Sequence, residues 1–288
     1  MPYVEILAIC MLVAFFVLLM AGIPVGLTLA TTGLVFGYLG FGSLLFNLLP
    51  GRIFGVVTNQ TLLAIPLFVF MGMMLEKSKL AEDLMDVIGH LAGSLRGGLG
   101  IGIVLVGVLL GATTGIVGAT VVTLGLLTLP GMIRRGYDKG LASGVICASG
   151  TLGQIIPPSL ILILLADILN LSVGTLFAAA MIPGLLLAAI YVIYILLLGI
   201  VKPASVPAFS AEERASVSRT ELMHKLFKVV APPVGLVAAV LGSIIAGIAA
   251  PSEAASMGAL GSIVVAAIGG RLSLKVLRDT AQATTKIT

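Results

Sequence analysis

Charged residues are scarce in this sequence. Only 10% of its 288 residues are Asp, Glu, Lys or Arg, whereas 59% are hydrophobic and the mean hydropathy is +1.22. Because soluble domains carry about 25% charged residues, this composition excludes a water-soluble surface. The apolar residues come in blocks of roughly 20, the length that crosses a hydrocarbon core about 30 Å thick. The sequence therefore predicts an all-α polytopic membrane protein.

Residues for catalysis and metal binding are also sparse. Cys10 and Cys147, the two cysteines, lie inside apolar blocks without a second metal ligand at suitable spacing, so we expect both to be buried by packing. His90 and His224 lie in charged segments and have no Ser or Cys nucleophile nearby. The sequence has no Walker A phosphate loop. We therefore expect a protein that is not an enzyme, needs no cofactor and is driven by an ion gradient.

The first apolar block lacks the marks of a cleavable signal peptide. Residues 4–20 have no Lys or Arg before them and no small-residue cleavage site after them. We expect this block to be the first of about seven transmembrane helices, predicted at 4–20, 24–45, 53–75, 141–169, 173–201, 229–249 and 254–269. Apart from Arg52, the basic loops fall on one side, which predicts an N-terminus on the outer side of the membrane.

The apolar block at residues 98–129 differs from the others. As one straight helix, its roughly 32 residues would span about 48 Å, well beyond a bilayer core. Its middle, GATTGIVG at residues 111–118, is rich in Gly and Thr, and basic residues stand at both ends of the block. A segment that begins and ends on the same side of the membrane predicts a re-entrant helical hairpin with its tip in the membrane interior.

A second interruption lies inside the fourth predicted span, 141–169. The string SGTLGQIIPPS at residues 149–159 contains two adjacent prolines, which remove N–H donors and force a departure from helix. Freed carbonyls and hydroxyls are ligands for alkali cations, and nearby helix N-termini attract carboxylates. The alternative interpretation is that Gly and Pro only permit close helix packing. Two interruptions in neighbouring elements favour a binding site.

Three polar residues near apolar segments have competing interpretations. Gln154 has two open roles, as a donor to substrate and as a bond to a neighbouring helix. Asp167 precedes a predicted outer turn, and Glu253 stands in the first turn of the last span, where it caps the helix. Buried acids in membranes also serve as proton relays, which is the functional alternative for both.

Two polar segments connect the spans. Leu80, Leu84, Ile88 and Leu91 share one helical face within residues 76–97, which predicts a helix lying along the cytoplasmic interface. Residues 202–228 are rich in Pro, Ser and charge, and we expect them to form a cytoplasmic linker.

Four strings carry a family resemblance: PLFVFMG (66–72), RGYDK (135–139), GTLGQIIPPS (150–159) and PSEA (251–254). Together they resemble the large membrane subunit of TRAP transporters, the tripartite ATP-independent periplasmic carriers. The resemblance runs over essentially all 288 residues and is strongest to the branch labelled for mannitol or chloroaromatic compounds. It implies an elevator-type carrier of the bacterial inner membrane, driven by Na⁺. It also implies two partners, a small four-helix membrane subunit and a periplasmic substrate-binding protein.

The resemblance also assigns residues to two sites. It implies a sodium site formed by the hairpin tip and the start of the break: Thr113, Thr114, Gly115, Gly118, Ser149, Gly150, Thr151 and Gly153. It implies a substrate wall formed by Thr114, Gln154, Pro157, Pro158 and Ser159. Sodium is the only metal expected.

The sequence departs from the family pattern in one respect. The family's large subunit has a second, inverted half with its own hairpin and Pro-Pro break, and the sequence reaches Thr288 before that half, so we expect a truncated permease. The predicted layout is scaffold spans (1–75), interfacial helix (76–97), transport domain (98–201), linker (202–228), scaffold spans (229–270) and the start of the missing half (271–288).

The predicted function is Na⁺-coupled import of a small carboxylate, with 2-oxo acids as a narrower candidate. The alternative is a non-transporting membrane scaffold or an inactive permease fragment.

Overall fold

The computed structural model describes residues 2–78, 83–85, 87, 95–114, 117–208 and 219–288, with backbone alone at 2, 112–114, 119 and 219–224. All regular secondary structure in these ranges is helical. The helices are α1 (Pro2–Met20), α2 (Val25–Phe41), α3 (Leu44–Val57), α4 (Gln60–Lys77), α5 (Gly98–Thr114), α6 (Val117–Arg134), α7 (Lys139–Thr151), α8 (Leu160–Ile168), α9 (Val173–Val201), α10 (Arg219–Ile245), α11 (Pro251–Ile268) and α12 (Leu274–Ile287), with 3-10 helices at Leu152–Gln154 and Pro203–Ser205. The all-α prediction is confirmed.

Five of the described helices, α1, α4, α9, α10 and α11, are long and apolar enough to cross a membrane. Four further described helices are apolar but shorter: α2, α3, α5 and α6. This pattern is that of a polytopic membrane protein.

The chain forms two compact units that divide between Asn59 and Gln60. In the first unit α1 packs on α2, and the buried hydroxyls of Thr28 and Thr32 donate to backbone carbonyls of their own helix. The predicted third span, 53–75, is wrong as a single helix. Helix α3 ends at Val57 and α4 begins at Gln60, because the polar pair Thr58–Asn59 interrupts the apolar run.

Helices α5 and α6 form a helical hairpin in the second unit. Gly107 and Gly111 of α5 lie against Ser149 and Gly153, so α5 runs parallel to α7. Val121 of α6 lies against Gly150, and Gly125 lies near Ile146, so α6 runs antiparallel to α7. The two arms are therefore antiparallel to each other. The hairpin prediction is confirmed, and its re-entry into the membrane interior stays a prediction.

The predicted break in the fourth span is also confirmed. Helix α7 begins at Lys139, where the Asp138 side chain accepts a hydrogen bond from the Leu141 N–H at 2.9 Å. It ends at Thr151, a short 3-10 helix follows at Leu152–Gln154, and α-helix resumes only at Leu160 after the prolines. Helix α9 then packs on both α5 and α10 and joins two apolar cores. One core is built on the hairpin and α7, and the other on α4, α8, α10 and α11.

The predicted linker 202–228 is shorter than expected. Helix α10 already begins at Arg219, and Val206 is fully buried in the hairpin core. The Gly97 N–H donates to the Val206 carbonyl at 3.0 Å, and the Asp138 N–H donates to the Ser205 carbonyl at 3.2 Å. The segment with Ser205 and Val206 therefore connects the base of the hairpin to the start of α7. Its polar composition did not predict this tertiary contact.

Most of the predicted interfacial helix, including Leu80, Ile88, Leu91 and His90, lies outside the described residues. Where the chain is described, Leu84 is buried and Asp83 pairs with Arg271 at 2.8 Å.

Two smaller predictions have opposite outcomes. Glu253 caps α11, since its carboxylate accepts from the Ala250 N–H at 2.9 Å. The two cysteines are exposed on the protein surface, so the prediction of buried packing is wrong.

Candidate functional site

The hairpin and the broken helix meet at Ser149 and Gly150. A Cβ atom added to Gly107 of α5 would lie 2.7 Å from the Ser149 Cβ and 2.8 Å from its carbonyl oxygen. A Cβ atom added to Gly150 would overlap the Val121 side chain of α6. The end of α7 is thus wedged between both arms, and glycine is required on either side of the contact.

One turn further along α5, the backbone of Gly111 lies directly against the backbone of Gly153. A Cβ atom on Gly111 would overlap the Gly153 Cα and lie 2.6 Å from its nitrogen, and a Cβ atom on Gly153 would lie 2.6 Å from the Gly111 carbonyl oxygen. Gly107 and Gly111 have the small-xxx-small spacing that lets membrane helices approach closely. At this crossing the glycines therefore permit close helix packing, as the alternative interpretation predicted. A binding site beside the crossing is compatible with this packing.

The Ser149 hydroxyl is the exceptional polar group at the crossing. Ser149 is fully buried, and its Oγ has no hydrogen-bond partner in the described part of the chain. Leaving a buried hydroxyl unpaired costs about 1–3 kcal/mol, so such a group calls for a ligand, a water molecule or an ion. Ser149 and Gly150 were both predicted as site residues, and the structure brings them together with Gly153 against the hairpin.

The segment between α7 and α8 is held by a hydrogen bond within the segment itself. The Ser159 hydroxyl is buried and donates to the Gln154 carbonyl at 2.7 Å, which closes the loop around Pro157 and Pro158. Pro157 has no N–H to give to the Gly153 carbonyl four residues earlier. Thr151 faces away from the crossing: its side chain is exposed and donates to the Ala148 carbonyl at 2.8 Å.

The predicted tip residues are only partly described. Thr113 and Thr114 lie in the last turn of α5, within about 5 Å of the Gly111 contact along the helix axis at about 1.5 Å per residue. Their side chains, and all of Gly115, lie outside the described residues. Gly118 is the second residue of α6, is exposed, and a Cβ atom there would meet nothing within 4 Å.

Acidic metal ligands are not gathered at this site. Within the described ranges no three His, Cys, Asp or Glu side chains come close enough to hold a metal ion together. The oxygens at the crossing are neutral hydroxyls and carbonyls. Such a donor set suits a weakly bound alkali cation and not a transition metal.

One polar contact near the hairpin was missed from the sequence. The Thr123 hydroxyl of α6 donates to a Glu76 carboxylate oxygen of α4 at 3.1 Å, and the other oxygen of Glu76 is buried without a partner. In the sequence, Glu76 is a charged residue at the end of an apolar block. No signal in the sequence links two residues that stand 47 positions apart.

Among the described residues outside the spans, Tyr137 is the one group with a clearly shifted pKa. It lies in the turn between α6 and α7 and is almost fully buried. Burial raises the pKa of its phenol, while the backbone N–H groups of Gly100 and Leu99 and the charge of Arg135 lower it by less. The phenol is therefore neutral at physiological pH and acts as packing at the hairpin base.

Comparison with known proteins agrees with this architecture. The family model of the DctM component of tripartite ATP-independent periplasmic transporters matches residues 12–288. This chain belongs to the DctM family. It is 36% identical over 216 residues to the C4-dicarboxylate TRAP transporter large permease protein DctM of Pseudomonas aeruginosa, covering 75% of this chain and 48% of the relative. DctM proteins are permeases and not enzymes.

Two further relatives are named for C4-dicarboxylates and for ectoine. The C4-dicarboxylate large permease of Vibrio cholerae is 30% identical over 86% of this chain and 53% of the relative. The ectoine large permease TeaC of Halomonas elongata is 29% identical over 90% of this chain and 59% of the relative. The chain thus spans about half the length of the curated relatives it matches. Family membership and the apolar helices make it a multi-pass protein of the inner membrane.

Proposed function

We propose that this chain contributes to Na⁺-coupled import of a small organic anion across the bacterial inner membrane. The anion is a carboxylate, with 2-oxo acids as the narrower candidate. The observation that carries the proposal is the buried, unpartnered hydroxyl of Ser149 at the crossing of the hairpin and the broken helix.

Three features support a sodium site at this crossing. The Ser149 hydroxyl supplies an oxygen ligand, and the interruption after Thr151 frees backbone carbonyls beside it. The hairpin tip with Thr113 and Thr114 follows the Gly111 contact by less than one turn. Neutral oxygens from interrupted helices are how many carriers bind a coupling cation.

The anion would bind beside the cation. Helix α8 begins directly after the buried pair Pro158–Ser159, and the N–H groups of a helix start attract a carboxylate. Gln154 is half-buried in the same irregular segment and offers an amide donor. Thr114, Gln154, Pro157, Pro158 and Ser159 therefore form the proposed substrate wall.

The complete carrier needs more than this chain. We propose that residues 98–201 move as a transport domain against the scaffold spans and that the other half of the permease supplies the opposite wall. A small four-helix membrane subunit and a periplasmic binding protein would be the partners, the latter delivering the anion. The names of the relatives, which cover C4-dicarboxylates and ectoine, support a small polar substrate.

The competing function is a membrane scaffold without transport activity. It is favoured by the glycine contacts, which explain the sequence at Gly107, Gly111 and Gly153 by packing alone. A scaffold predicts no difference between sodium and other monovalent cations. The unpartnered Ser149 hydroxyl weighs against it.

Thermal stability in sodium separates the two functions. We expect the purified chain in detergent to melt at a higher temperature in NaCl than in equimolar KCl or choline chloride. A ligand present at about 100 times its Kd stabilises the folded state by about 2.7 kcal/mol. Ser149→Ala should remove this sodium-specific increment while leaving stability in KCl unchanged or slightly higher, since it deletes an unpaired buried hydroxyl.

Ser143→Ala is the matched control. Ser143 lies on the same helix, is exposed, and donates to the Lys139 carbonyl at 2.9 Å. The control should keep the full sodium effect. Superimposable melting curves in all three salts would favour the scaffold.

A further inference from the structure

A cavity of about 530 Å³ lies between the hairpin, α7 and α9. It exists because α7 presents Gly140, Gly144 and Ala148 on successive turns. A Cβ atom on Gly144 would meet nothing within 4 Å. Tyr191 and Leu198, which lie two turns apart on α9, form the facing wall.

The two ends of this cavity differ in their chemistry. At one end stand Asp138, which precedes α7, and Lys202, which follows α9, both exposed. Ser149, whose buried hydroxyl has no partner, also lines the cavity. It stands 11 residues beyond Asp138, which is about 16 Å along the helix. The cavity therefore reaches from the charged helix ends to Ala148, and the fully buried Ser149 lies behind its inner end.

The polar groups of the lining decide what fills it. Empty cavities in proteins are apolar, whereas a water molecule needs room and two to four polar partners. Besides Ser149, the lining residues include Tyr191, Tyr194 and Ser205, each of which carries a hydroxyl. Polar side chains thus occur near both ends and along the wall between them.

We propose that this cavity is a water-filled passage that leads from the aqueous phase at the Asp138–Lys202 end to Ala148, directly beside the buried Ser149. The passage admits water and a small hydrated monovalent cation. Its role as an ion route rests on the proposed function, because it brings the coupling cation as far as Ala148, the residue next to Ser149. Its hydration does not depend on sodium binding.

Thiol accessibility tests the passage. Ala148→Cys, made in a chain carrying Cys10→Ala and Cys147→Ala, places a thiol in the cavity wall. The matched control is native Cys147 in a Cys10→Ala chain, because Cys147 is the adjacent residue at nearly the same depth, exposed outside the cavity. Both chains are reconstituted in liposomes in choline chloride. A charged, water-soluble methanethiosulfonate reagent is supplied on both sides of the membrane.

We expect the thiol introduced by Ala148→Cys to react at least about tenfold faster than Cys147, because the reactive thiolate forms in water and not in hydrocarbon. Adding Gly144→Phe, which puts a ring into the open space between Ala148 and the charged end, should slow this reaction to the rate of Cys147.

Equally slow reaction at both thiols would overturn the passage, because lipid or protein would then fill the cavity. Equally fast reaction at both, or no effect of Gly144→Phe, would overturn it too, since water would then reach Ala148 by another route. The assay contains no sodium, so a failed sodium site leaves its outcome unchanged.

Discussion

Gly111→Ala is expected to lower the stability of the purified chain by about 1–3 kcal/mol, the usual cost of forcing an extra group into a packed contact. The added Cβ would overlap the backbone of Gly153, and backbone cannot rotate away as a side chain can. The hairpin would have to move off the end of α7. Thermal unfolding in detergent measures the effect, and the sodium-specific increment should disappear with the contact.

The same substitution at Gly235 provides the control. Gly235 lies inside α10, and a Cβ atom there would meet nothing within 4 Å. Alanine in a helix interior is more favourable than glycine by about 0.5–1 kcal/mol, so Gly235→Ala should raise stability slightly. If Gly111→Ala lowers stability and Gly235→Ala raises it, the loss of stability arises from the crossing and not from the change of residue type. Equal stability of the two variants would contradict the close approach of Gly111 and Gly153.

Phe177→Ala is expected to have the largest effect on stability, about 3–5 kcal/mol. Phe177 is fully buried in the second core, which joins α4, α8, α9, α10 and α11. Removing the ring leaves a cavity that rigid helices cannot close. The measurement is again the melting temperature in detergent.

Phe227 supplies the matched comparison, because its side chain is 68% exposed on α10. Phe227→Ala removes the same atoms from a site that contacts lipid or detergent and should change stability little. If both variants melted together, the core built around Phe177 would not be the stabilising contact that the structure describes.

The helical elements of this protein are readable from its sequence because the bilayer restricts the options. Backbone groups in hydrocarbon must be paired within the chain, so apolar blocks become helices. The hairpin followed from a block too long for one crossing with basic residues at both ends, and the break followed from Pro157 and Pro158. Both predictions rest on local chemistry that no tertiary contact overrides.

Three predictions differ from the structure. The predicted third span runs through Thr58 and Asn59, because long apolar stretches stand on either side of this two-residue polar interruption. The predicted linker runs to residue 228, although α10 begins at Arg219 and Val206 packs in the core. Cys10 and Cys147 are apolar enough to face lipid, so their composition does not distinguish exposure to lipid from burial in protein.

The candidate site was predictable only in part. The Gly and Thr content of the tip and the break pointed to the right segments, because these residues loosen helices. Which hydroxyl faces the crossing was not predictable: Ser149 is buried and unpartnered, whereas Thr151, two residues later, is exposed. The register between two helices fixes that difference, and one sequence contains no information about the register.

Equilibrium binding of radioactive sodium to the purified chain tests the central claim most directly. We predict saturable binding that NaCl displaces and that equimolar KCl or choline chloride leaves in place. Binding should survive Ser143→Ala and be lost in Ser149→Ala. Binding that is absent from the unsubstituted chain, or equal in the two serine variants, would contradict an ion site at the crossing of the hairpin and the broken helix.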